Sequence, residues 1–150
     1  MNRQVMPLSG EEIVFNANRQ LVDATVIDFW RWAFSDLQAN DLRGVFAEWL
    51  VTKLLGLAPR TRDSWGDWDL QTPDGVKIEV KASAFLQAWE QSKLSAISFS
   101  GLNGRSSSVA ADSTALPTYK ADMYIFCVHK EEDRQRWNAL NQTTKMLRRG

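Results

Sequence analysis

The chain has 150 residues, 44% of them hydrophobic and 24% charged, proportions ordinary for a single soluble globular domain. Lys plus Arg number 18 and Asp plus Glu number 18, so no global field draws the protein onto nucleic acid or membrane. A polyanion would have to be held by a local patch or by bound metal, which argues against a non-specific DNA coat protein and leaves an enzyme open.

Met1 to Val5 is not followed by an apolar stretch of signal-peptide length, and no segment is long enough to span a bilayer. With Cys127 as the one cysteine, a disulfide framework is excluded and a reducing, cytoplasmic setting is expected. Residues 1–18 are mixed and partly extended. From 19 to 37 the apolar positions Leu21, Val22, Val26, Phe29, Trp30, Ala33 and Phe34 predict a helix. Asp41 opens a second helix over 41–55, stopped by Gly56. It is apolar nearly all round, which predicts an interior position. Glu48 lies within it, costly there unless paired, protonated or bound to metal.

Residues 60–65 are expected to form a strand, followed by a hairpin from Trp68 to Lys81. Ser83 is a plausible N-cap for a helix over 84–92, and 96–99 reads as a short strand. Residues 100–117, rich in Gly, Ser, Ala and Asn, read as a long loop. Residues 122–128 predict a buried strand holding Cys127. The tail from 134 to 150 reads as a helix that frays into a basic end (Lys145, Arg148, Arg149). The expected fold class is α/β, one domain with a mixed central sheet flanked by helices. It divides into an N-terminal helical extension (1–40), a core (41–128) and a C-terminal tail (129–150).

The hairpin carries the chemistry. Thr72-Pro73-Asp74-Gly75 suits a type I turn followed by a left-handed glycine, which makes Thr72 and Val76 the last facing pair. Counting outward sets Asp69 opposite Glu79 and Asp67 opposite Lys81. Facing Cβ atoms lie roughly 4.5–5.5 Å apart, where two carboxylates repel unless a cation or proton intervenes. Alternation puts Lys81 on the face of Glu79, and Trp68, Leu70, Ile78 and Val80 on the other.

Asp69 followed ten residues later by Glu79-Val80-Lys81 resembles the signature of the PD-(D/E)xK nuclease superfamily. Its restriction-endonuclease-like core of helix, three strands, helix and strand is similar to the order read over 41–128. Glu48 matches the glutamate many members carry on the first core helix, and Gln87 the glutamine some carry after the lysine strand. Trp68 departs from the proline of the motif, Gln91 stands where related nucleases place a tyrosine, and the chain stops soon after the last core strand.

The resemblance implies a three-layer fold and hydrolysis of DNA to a 5′-phosphate. Asp69, Glu79, the Val80 carbonyl and Glu48 would hold one or two Mg²⁺ ions, with Mn²⁺ as substitute, through hard oxygen ligands. Lys81 would orient the attacking water or stabilise the transition state, and Gln87 would hold the water or a phosphate oxygen.

The plainer reading of such a face is a solvated surface with cross-strand ion pairs. Asp69 facing a like charge, and Glu48 adding a third carboxylate from a buried helix, favour the site. Asp67 competes with Asp69, and a one-residue bulge would upset the count. Trp30, Trp49 and Trp68 read as core; Trp65 and Trp89 can stack on bases, although packing is the plainer reading. His129, the one histidine, has no Ser or Cys partner in view for a triad. Gly101 to Ser106 has the wrong spacing for a phosphate loop, although Arg105 can reach a DNA backbone.

The expected function is a Mg²⁺-dependent deoxyribonuclease. The helix over 19–37 would pad the core or join a second copy of the chain in a homodimer. The alternatives are an inactive relative serving as a nucleic-acid-binding or protein-interaction module, and a hydrolase of other phosphate esters.

Overall fold

The computed structural model describes residues 5–58, 60–102, 119–137 and 143–148, the last as backbone. Within them lie two helices and two sheets: β1 (Ile13–Phe15), β2 (Leu21–Thr25), α1 (Val26–Phe34), α2 (Asn40–Leu54), β3 (Leu70–Gln71), β4 (Lys77–Ala84), β5 (Met123–His129) and β6 (Thr143–Arg148). The chain is a small mixed α/β protein.

The larger sheet runs β3-β4-β5-β6, with β4 and β5 parallel and the outer pairs antiparallel. Asp122 ties the start of the parallel pair: its carboxylate accepts from the Lys77 N–H at 2.9 Å, and its own N–H donates to the Lys77 carbonyl at 2.9 Å. α2 lies against β4, and its Ala47 and Val51 join Leu70, Ile78, Val80, Ile125 and Cys127 in the core. Cys127 is buried, as expected of a small apolar residue in that strand.

Several elements differ from the sequence-based expectation. The helix over 19–37 begins only at Val26, because 21–25 pair with β1 as a strand. The turn between them forms where the Asn16 side chain accepts the N–H groups of Asn18 and Gln20, with Arg19 at φ 59°. The Asp28 carboxylate then accepts from the Thr25 N–H at 2.8 Å and its hydroxyl at 2.7 Å, fixing the helix start. The carbonyls of Glu12 and Gly10 take the N–H groups of Val26 and Ile27, two of the donors a helix start leaves open.

Residues 60–65 form no strand, nor do 96–99. The helix over 84–92 is absent. Ser83 and Ala84 continue β4, paired with Val128 and His129, so Ser83 caps nothing. Beyond them the Gln91 side chain takes the Gln87 N–H at 2.7 Å and donates to the Phe85 carbonyl at 3.3 Å, substituting for helical bonds.

The tail helix is replaced by a turn at 134–136 and by β6, whose Thr143 and Thr144 are β-branched. β6 covers the second edge of β5, so the core sheet extends to Arg148. α2 is not enclosed all round: it buries Ala47, Glu48 and Val51, while Val45, Trp49 and Leu54 are exposed. The loop expected over 100–117, with Arg105, falls outside the described residues beyond Leu102, as does Arg149. Among the described residues no helix is long and apolar enough to cross a membrane.

Candidate active site

The hairpin forms in the expected register: Leu70 pairs with Ile78 and Gln71 with Lys77. The Thr72 N–H donates to the Val76 carbonyl at 3.0 Å, and Gly75 takes φ 92° in the turn. That conformation suits glycine because it has no Cβ to clash.

At Asp69 the ladder slips. The Asp69 N–H donates to the Ile78 carbonyl at 3.1 Å, and the Val80 N–H is taken at 2.7 Å by the Asp69 carboxylate instead of a backbone carbonyl. A slip of this kind reverses which side chains share a face. Trp68, expected beside Leu70 in the core, accordingly lies under the Lys77 ammonium at 4.4 Å from the ring centre. Asp67 pairs with Lys120 at 3.1 Å rather than standing opposite Lys81.

Asp69, Glu79 and Asp67 nevertheless line one cavity of about 170 Å³ with Lys120, Tyr124 and Gly101. Lys81 follows Glu79 by two residues on β4, and its ammonium reaches the Glu79 carboxylate at 2.6 Å. The Asp69 carboxyl is pushed up to about 6, first by burial, then by the negative charges of Glu48 and Glu79, against the Val80 N–H and the Lys81 ammonium. The three acids and the lysine thus act on one another electrostatically.

Glu48 is approached differently from the way the sequence suggests. It is 8% exposed, and both its oxygens are held by Arg62, Nε at 2.5 Å and Nη2 at 2.6 Å. That hydrogen-bonded pairing raises the Arg62 guanidinium above its ordinary value. Arg62 is not among the residues the sequence marks out, since its segment has the pattern of a strand; a buried Glu48 in need of a partner is the one signal that points to it. Arg60 adds a bond from Nη2 to the Asp69 carbonyl at 2.9 Å.

Gln87 is not brought to the cavity. Its side-chain oxygen accepts from Arg43 at 3.1 Å, and its amide donates to the Ala84 carbonyl at 3.0 Å and the Ser95 hydroxyl at 3.1 Å. It ties the irregular 85–95 segment to α2. His129 is buried against Trp137, with ring centres 5.2 Å apart. Trp65 and Trp89 are exposed rather than packed.

Among the described residues, no three acidic, histidine or cysteine side chains converge at metal-binding spacing. The pair Asp69 and Glu79 fits a hard divalent cation in donor type, and a cation there would offset the burial and the repulsion that together raise Asp69. Glu48 does not fit in the same way, because Arg62 already neutralises it. Comparison of the chain with family models, with curated proteins and with solved structures gives no match.

Proposed function

We propose that this chain is a metal-dependent nuclease that hydrolyses DNA phosphodiester bonds at the cavity lined by Asp69 and Glu79, with Lys81 bound to Glu79 beside it, on a three-layer restriction-endonuclease-like core. The observation that carries this reading is that Asp69 and Glu79 line one cavity, where the Asp69 carboxyl is raised to about 6, first by burial and then by the charges of Glu48 and Glu79. Perturbed acids of this kind concentrate at functional sites.

Mg²⁺ or Mn²⁺ held by Asp69, Glu79 and the Val80 carbonyl would supply a water of lowered pKa and neutralise charge on the phosphate. The protein's own groups do the rest. Lys81, paired with Glu79, would hold the attacking water or a non-bridging phosphate oxygen. Lys120 lines the cavity and would offer a second ammonium there. Arg62 holds the Glu48 carboxylate in place one helix away from the cavity. Water adds to phosphorus as the bond to the 3′ oxygen breaks, leaving a 5′-phosphate and a 3′-hydroxyl.

The test is cleavage of DNA with Mg²⁺ or Mn²⁺ by the wild type and by Asp69→Ala, Glu79→Ala and Lys81→Ala. Each variant should lose cleavage while remaining folded by circular dichroism. DNA binding without cleavage under either metal would overturn the reading, as would turnover of simple phosphate esters with DNA ignored.

A second reading, a protein-interaction module, is favoured by one observation. Ile13, Phe15, Leu21, Phe29 and Trp32 of β1, β2 and α1 are all more than half exposed, and α1 buries no residue. Apolar side chains concentrated on one small unit mark a contact surface, here for a second copy of the chain. The two readings are compatible.

A further inference from the structure

On the other side of Asp69 lies a second cavity, of about 260 Å³, lined by Trp49, Lys53, Arg60, Arg62, Glu48 and Asp69 among others. We infer that this cavity binds one unpaired nucleotide, its base stacked on the Trp49 indole and its phosphate held by Lys53 and Arg60. The route from this pocket to the cleavage cavity rests on the nuclease reading above.

Four features support the assignment. Trp49 is 53% exposed although it sits on the helix that supplies core residues, so its ring is presented rather than packed. Phe46 stacks on the indole at 5.6 Å and does not line the cavity, so it backs the ring and holds its orientation. A base has a π face whatever its identity, and an aromatic platform beside cations is the usual holder of single-stranded nucleic acid.

The cations differ in availability. Arg62 is engaged by Glu48 and by the Ser64 hydroxyl at 3.0 Å. Arg60 uses Nη2 on the Asp69 carbonyl and forms no salt bridge among the described residues. Lys53, exposed on the last turn of α2, holds its ammonium over the Trp49 ring, 5.8 Å from the centre, an exposed contact that an incoming base would displace as the ammonium moves to its phosphate. Two cations with free donors beside an aromatic plate match a nucleotide better than a neutral ligand.

Size selects the form of the ligand. About 260 Å³ lies near the roughly 300 Å³ lower end of small-molecule pockets and holds one planar ring system, not a base pair. Asp69 lines both cavities, so a strand whose nucleotide occupies this one carries an adjacent phosphate across the Asp69 carboxylate.

The test is fluorescence anisotropy in EDTA with three labelled probes of equal length: oligo(dT), an abasic strand of the same phosphates, and a duplex. Wild type should prefer oligo(dT) to the abasic strand and to the duplex by about tenfold or more. Trp49→Ala should remove that preference and Trp49→Phe retain most of it. Lys53→Gln and Arg60→Gln should each lower the salt dependence by about 0.7 in log–log slope. Equal wild-type binding of oligo(dT) and abasic strand overturns the proposal without recourse to any variant. So does unchanged binding by Trp49→Ala, or no binding of any probe. Trp49-dependent binding without metal-dependent cleavage would leave this pocket standing and remove the nuclease; cleavage with Trp49→Ala binding as wild type would do the reverse.

Discussion

Arg62 holds both oxygens of the buried Glu48 carboxylate, Nε to Oε2 at 2.5 Å and Nη2 to Oε1 at 2.6 Å, across the gap between α2 and the segment leading to the hairpin. The bidentate geometry is the strong form of a charge-assisted bond. It lets a carboxylate remain in a helix face packed on the sheet.

Removing the cation should therefore cost more than an exposed pair would. Arg62→Ala leaves Glu48 buried and unpaired, and is expected to destabilise the fold by about 1–3 kcal/mol, less than a fully buried pair because Arg62 is partly exposed. Urea midpoints of wild type and Arg62→Ala measure this. Glu48→Gln should lose less, since its amide oxygen still accepts from the guanidinium. A shift below about 0.5 kcal/mol for Arg62→Ala would class the bridge with ordinary surface pairs.

Asp69 makes stability depend on pH. Its carboxyl is raised from 3.8 to about 6, so between those values the folded state keeps a proton that the unfolded chain has released. Stability therefore falls as pH rises through that window and levels off above it. After discounting for partial solvent access, the drop is on the order of 2 kcal/mol. Asp69→Asn keeps an acceptor for the Val80 N–H but cannot ionise, and should flatten the profile and raise stability at pH 7. Thermal melts from pH 4 to pH 7.5 read both effects; identical slopes for the two proteins would contradict the raised Asp69 carboxyl.

Gln87 should behave as scaffolding. Gln87→Ala removes acceptance from Arg43 and donation to Ala84 and Ser95, and is expected to cost about 1–3 kcal/mol. Denaturation alongside a cleavage assay separates the roles: lost cleavage with stability intact would place Gln87 in the reaction instead.

The exposed apolar surface of the N-terminal unit predicts self-association. Sedimentation velocity should show a concentration-dependent dimer that Phe29→Glu and Trp32→Glu each abolish, since both side chains are more than half exposed. A wild type that stays monomeric at high concentration would remove that partner.

Much of the hairpin was legible in the sequence because turn chemistry fixes register locally: Thr72 to Val76 sets Leu70 against Ile78 whatever surrounds it. Asp69 is legible as a neighbour of Glu79, but its bond to the Val80 N–H is not. Its carboxylate competes for the Val80 N–H, and that side-chain bond shifts the ladder in a way no alternation pattern encodes. β2 and β6 were missed for a related reason. Leu21 to Thr25 has helical spacing, yet the Asn16 turn pairs it with β1, and β6 answers a demand for hydrogen bonds at the β5 edge that exists only once the sheet has formed. The sequence expects Trp49 in the core because α2 is apolar on nearly all sides; only the arrangement of the sheet decides which side is covered.

Direct binding of Mn²⁺, followed by calorimetry at pH 7.5, tests whether Asp69 and Glu79 together hold a divalent ion. The wild type should bind saturably, Asp69→Asn and Glu79→Gln should each weaken binding at least about tenfold by removing a charged oxygen ligand, and Glu48→Gln should bind nearly as the wild type does. No binding by the wild type, or equal binding by the Asp69 and Glu79 variants, would contradict it.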